Sequence, residues 1–143
     1  MKTTWLKEKE IERKWYLVDA QDIILGRLST KVASLLIGKG KVNRVPNLDC
    51  GDFVVVVNAS KIIVTGKKLT DKKYYRHSGY PGGLRTRTLG EMMVKDSDEV
   101  IRKAVHNMLP NTKMRARMMA RLFVYPASEH PHEAQKPVAV KLI

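Results

Sequence analysis

Phe53-Val54-Val55-Val56-Val57 is five consecutive β-forming residues with no polar residue between them. A strand with one wet face alternates apolar and polar side chains, so an unbroken run of this length predicts a strand buried on both faces, inside a parallel or mixed sheet. Upstream, Trp15-Tyr16-Leu17-Val18-Asp19 reads as a second strand, ended by the polar turn Asp19-Ala20-Gln21-Asp22. Between the two strands, Leu28, Val32, Leu35 and Leu36 recur at i, i+4, i+7 and i+8 from Arg27 onward, an amphipathic helix that stops at Gly38. Strand, helix and buried strand make a βαβ unit, and with it an α/β fold whose crossover should be right-handed.

Further strands are expected at Lys61-Ile62-Ile63-Val64-Thr65 and at Leu122-Phe123-Val124-Tyr125. A helix is expected from Asp96 to Leu109, where Val100, Ile101, Ala104, Val105, Met108 and Leu109 form one stripe and Pro110 stops it. A shorter helix, Lys113 to Arg121, sets the apolar line Met114, Met118, Leu122 beside a basic line, Lys113, Arg117 and Arg121. Residues 1–14 lack enough apolar positions for a core face and read as an arm. Residues 15–126 read as the domain, and the proline-rich stretch 127–143 as an irregular tail.

The 143 residues carry 27 Lys and Arg against 14 Asp and Glu, a net charge of +13, which implies a polyanionic partner. No run approaches the roughly 18 apolar residues of a membrane span, nothing at the N-terminus resembles a signal peptide, and Cys50 is the only cysteine. A soluble, unexported protein of a reducing compartment is expected.

The charge concentrates between Lys67 and Thr88. Lys67, Lys68, Lys72, Lys73, Arg76, Arg85 and Arg87 stand there against Asp71 alone, interleaved with Tyr74, Tyr75, His77 and Tyr80 around Gly79, Gly82 and Gly83. Cations neutralise phosphates, aromatic rings stack on unpaired bases, and glycines let a backbone turn or approach closely. Lys39, Lys41 and Arg44 in a basic loop, Lys113, Arg115, Arg117 and Arg121 in the later helix, and His130 and His132 extend the candidate RNA surface.

Catalytic readings are weaker. The turn after the first strand has no Gly-x-Gly-x-x-Gly spacing, and Gly38-Lys39-Gly40-Lys41 lacks the Walker spacing. His130 and His132 flank a proline with no Cys-x-x-Cys beside them, so no metal is expected. Cys50 lies among Asp49, Gly51 and Asp52 and reads as a small turn residue, because a nucleophile would need a base within hydrogen-bond reach, and the two aspartates read as turn formers. Binding without turnover, with no cofactor and no small-molecule substrate, is the function these residues support; a nucleotide-using enzyme on an α/β scaffold is the rival.

Leu25-Gly26-Arg27-Leu28, Asp49-Cys50-Gly51-Asp52-Phe53, Val64-Thr65-Gly66-Lys67-Lys68, Tyr74-Tyr75-Arg76-His77-Ser78-Gly79-Tyr80-Pro81-Gly82-Gly83, Met108-Leu109-Pro110 and His130-Pro131-His132-Glu133-Ala134-Gln135-Lys136-Pro137 occur in that order. Together they resemble the bacterial-type large-subunit ribosomal protein of the universal family numbered thirteen. The chain departs from that pattern at Gly40, Val42, Asn107, Met114-Arg115-Ala116-Arg117 and Pro126-Ala127-Ser128. The resemblance implies a three-layer α/β/α fold around a four-stranded sheet. It also implies an early-assembling structural protein of the cytoplasmic large ribosomal subunit, with rRNA and neighbouring ribosomal proteins as partners and no membrane contact. A free-standing RNA-binding regulator is the alternative.

Overall fold

The computed structural model describes residues 5–140; residues 1–4 of the arm and 141–143 of the tail lie outside it. Four strands make one sheet: β1 (Trp15–Asp19), β2 (Phe53–Val57), β5 (Leu122–Val124) and β6 (Val138–Val140), in the order β5-β2-β1-β6. All three pairings are parallel, with Leu17 beside Val55 and Val55 beside Phe123. The all-valine run is thus an interior strand of a parallel sheet, and Val54, Val55 and Val56 are fully buried.

Alternation along the strands divides the two faces. Val18, Val54, Val56, Leu122 and Val124 join one core cluster with Leu28, Val32 and Leu36 of α1 (Leu25–Ile37), Leu89 and Met92 of α3 (Leu89–Lys95), Val100, Ile101 and Val105 of α4 (Ser97–Met108) and Met118 of α5 (Arg115–Ala120). On the opposite face Trp15 stacks on Phe53 and Phe123, at 4.4 and 5.7 Å between ring centroids. His132 lies 4.5 Å from the Phe123 ring. The third layer is therefore supplied by the chain that crosses from β5 to β6, which holds only a 3-10 turn at Glu133–Gln135.

Several expectations are corrected. The fourth strand, β6, comes from the stretch read as irregular; Val138, Ala139 and Val140 pair with Tyr16, Leu17 and Val18. Lys61 to Thr65 is not a strand: Ala59–Lys61 is a 3-10 turn, and beyond it a single bridge joins Ile63 to Ile24. Asp96 caps α4 without a side-chain bond, and a helix absent from the sequence reading, α3, precedes it. Its start is a capping box, in which Thr88 Oγ1 accepts from Glu91 N at 3.3 Å and Glu91 Oε2 accepts from Thr88 N at 3.2 Å. Thr88→Ala should lower stability by about 1 kcal/mol in denaturant titrations; an unchanged midpoint would mean that the cap contributes nothing.

Asp49 and Asp52 are ion-pair residues, where turn formation was expected. Asp49 receives both Nη1 and Nη2 of Arg121, with both side chains buried. Asp52 Oδ1 accepts from Lys14 N at 2.9 Å and lies 2.6 Å from Lys41 Nζ. Gly51 lets these two carboxylates flank the end of α1, because a Cβ there would stand 1.7 Å from Leu36 O. Arg13 Nη2 donates to Asp49 O at 3.2 Å, so the end of the arm is fixed to the same junction.

Candidate nucleic-acid interface

The basic stretch folds as a short helix, α2 (Lys68–Asp71), and a separate antiparallel hairpin of β3 (Lys73–His77) and β4 (Leu84–Thr88). The register sets Tyr74 opposite Arg87, Tyr75 opposite Thr86, Arg76 opposite Arg85 and His77 opposite Leu84. One face thus carries Tyr74, Arg76, Arg85 and Arg87, and the other Lys73, Tyr75, His77, Leu84 and Thr86.

The hairpin tip accounts for its glycines. Gly79 and Gly82 have φ of +87° and +72°, values that L side chains rarely adopt, and a Cβ on Gly83 would lie 2.0 Å from Ser78 Oγ. Backbone turning accounts for Gly79 and Gly82, and close packing within the tip for Gly83.

Tyr74 anchors the first face to the domain. Its ring packs against the core, with Lys72 and Lys103 ammonium groups 5.4 and 5.2 Å from its centroid. Burial pushes its phenol pKa up. Beside it the hairpin, α3 and α4 border an open cleft of about 500 Å³, whose lining includes Arg76, Arg85 and Arg87 together with Met92, Glu99 and Lys103. Glu99 is already engaged by Lys103 at 3.0 Å. Arg76 and Arg85 sit directly across from each other, an arrangement of like charges that destabilises an isolated hairpin. Among the described residues no carboxylate forms a salt bridge with Lys67, Lys68, Lys72, Lys73, Arg76, Arg85 or Arg87. Tyr75 and Tyr80 are 65% and 76% exposed, which suits stacking, whereas half-buried Tyr74 is a packing residue.

The remaining candidates divide. Lys39, Arg44, Lys113 and Arg117 are exposed. Lys41 is held by Asp52 and donates to Glu12 O at 2.6 Å. Arg115 donates from Nε and Nη2 to Pro110 O and Leu109 O, at 3.1 and 3.0 Å, which ties it to the loop before its own helix. Two residues expected at the RNA surface are engaged within the protein. Arg121 is 6% exposed and spent on Asp49. His132 belongs to the aromatic layer, with Nε2 hydrogen-bonded to Tyr125 Oη at 2.9 Å. His130 Nδ1 accepts from His132 N at 3.2 Å and so supports that layer. The cleft includes no residue of α5, so the two basic segments do not share one pocket.

The described helices include none long and apolar enough to cross a membrane. A family model described as ribosomal protein L13 matches residues 13–131. The chain belongs to the ribosomal protein L13 family. Its relatives include the large ribosomal subunit protein uL13 of Thermotoga maritima, 52% identical over 141 residues that cover 99% of this chain and 95% of the relative. That of Aquifex aeolicus is 56% identical over 137 residues, 96% and 95% of the two chains. That of Geobacillus kaustophilus is 52% identical over 143 residues, 99% of each. The L13 family is one of structural ribosomal proteins, and the sheet and hairpin described above lie within the matched residues, apart from β6.

Proposed function

We propose that this chain is a structural constituent of the large ribosomal subunit that binds rRNA with the β3–β4 hairpin and has no catalytic cycle. The observation that carries the reading is the arginine face: Arg76 against Arg85 with Arg87 beside them, unpaired with any carboxylate among the described residues. A cluster of this kind is stable when phosphates neutralise it, and the released counterions drive association. Lys67, Lys68, Lys72 and Lys73 extend the same charge along α2 and β3, and exposed Lys39, Arg44, Lys113 and Arg117 supply further phosphate contacts. Such contacts read shape and charge more than base sequence, as suits a protein that holds folded rRNA segments early in subunit assembly, among other ribosomal proteins.

Neutralising about 6 to 8 phosphates should give a log–log slope of affinity against salt of roughly −4 to −6, by the single-strand coefficient. The double variant Arg76→Gln/Arg85→Gln should flatten that slope by about 1.4 and reduce sedimentation with large subunits in cell extract. A slope near zero in filter binding of the unaltered chain overturns the proposal.

A further inference from the structure

The outer face of the hairpin, opposite the arginines, carries a different chemistry. Tyr75 and His77 are two positions apart on β3, so their side chains leave the same face roughly 6.4–6.8 Å apart along the strand. That separation is twice the ~3.4 Å step of stacked bases, the room one base occupies between two aromatic planes. Tyr75 is 65% exposed, and Leu84, which faces His77 across the ladder, is 58% exposed. His77 is oriented in advance, because its Nδ1 accepts from Gly79 N at 2.9 Å. In the neutral ring that bond leaves the proton on Nε2, an in-plane donor for a sugar or phosphate oxygen beside a base stacked on the ring. The two strands contribute no carboxylate to this face, and Lys73 lies on it two positions from Tyr75. A cationic protein side chain is thus disfavoured and a nucleotide favoured.

We propose that Tyr75 and His77 form a slot for one unpaired nucleobase, so that the hairpin lies between a phosphate strand on its arginine face and a flipped-out base on its outer face. The proposal rests on the rRNA-binding reading and specifies which RNA feature the hairpin selects: a bulge or a junction, not a continuous duplex.

The test uses the full chain with two RNA probes, a short duplex with a single bulged 2-aminopurine and the same duplex fully paired. The bulged probe should bind about 5- to 150-fold more tightly, the range for stacking one base, and its fluorescence should be quenched. Tyr75→Ala and His77→Ala should each abolish the preference and the quenching while leaving the salt slope unchanged; Tyr75→Phe, which keeps the ring, should retain both. Circular dichroism establishes that the exposed substitutions leave the fold intact. Retention of the preference by Tyr75→Ala, or an equal loss for both probes, overturns the slot. So does a Tyr75→Ala protein that binds both probes normally yet fails to enter large subunits, since the face would then contact a protein. Equal binding of both probes by the unaltered chain defeats the slot alone, whereas binding of neither defeats the rRNA-binding reading as well.

Discussion

Arg121→Gln should melt far below the unaltered protein, while Arg117→Gln, four residues earlier, should melt with it. Arg121 and Asp49 are buried together and joined by two charge-assisted bonds, and Arg121 Nη2 also donates to Leu36 O at 3.4 Å. Glutamine keeps most of the stem but removes the cation, leaving the Asp49 carboxylate, 8% exposed, without the charge that is bonded to it. Breaking one side of a buried pair costs about 3–5 kcal/mol, a large share of a total stability of about 5–15 kcal/mol. A fall in Tm on the order of 10–20 °C follows for a domain of this size. Replacing the pair together, Arg121→Met with Asp49→Leu, should recover much of the loss, because an apolar pair leaves no uncompensated charge. Exposed Arg117 should cost less than about 1 kcal/mol when changed to glutamine and should flatten the salt slope of RNA binding by about 0.7, whereas Arg121→Gln should leave that slope alone. Equal melting of Arg121→Gln and the unaltered chain would show that the pair contributes nothing.

Val55→Asp should yield no folded protein. Val55 is fully buried, flanked in register by Leu17 and Phe123, on the face that Trp15, Phe53, Phe123 and His132 close. A carboxylate there has no partner, and its burial costs several kcal/mol, comparable to the whole stability. Val94→Asp is the matched control: Val94 is 92% exposed on α3, and the same change there should stay within about 0.5 kcal/mol. A cooperative melt with native circular dichroism for Val55→Asp would contradict the interior position of β2.

Local chemistry determined what was legible beforehand. The run Phe53–Val57 and the stripe of α1 report their own burial, because period and composition are properties of a few adjacent residues. The bond between Asp49 and Arg121 spans 72 positions, and nothing near either residue announces the other. Arg121 continued the basic line of Lys113 and Arg117 at helical spacing, yet α5 ends at Ala120 and the next residue turns inward. His132 resembled a surface histidine beside prolines; its packing depends on Trp15 of β1 and Phe123 of β5. Strand β6 is three residues long and follows Pro137, too short for any periodicity to register. The α3 start, by contrast, was readable in Thr88-Leu89-Gly90-Glu91, a capping-box spacing that directly abuts the basic run ending at Thr88. In the candidate interface the residue types were legible, but their division into two faces required the register of the hairpin.

The pairing of β6 with β1 also sets an order of events during synthesis. Tyr16 leaves the translating ribosome long before its partner Val138, by on the order of 10 s at 5–20 residues per second. In that interval β1, β2 and β5 can associate, but the far edge of β1 has no neighbour and the aromatic side of the sheet has no cover, since the chain bearing His132 is made late as well. A nascent chain with a bare parallel edge beside exposed Trp15 and Phe53 is open to pairing with the wrong strand. Both openings close with the one segment that carries His132 and β6, so its docking on β1 is the step that completes the sheet and covers its aromatic side.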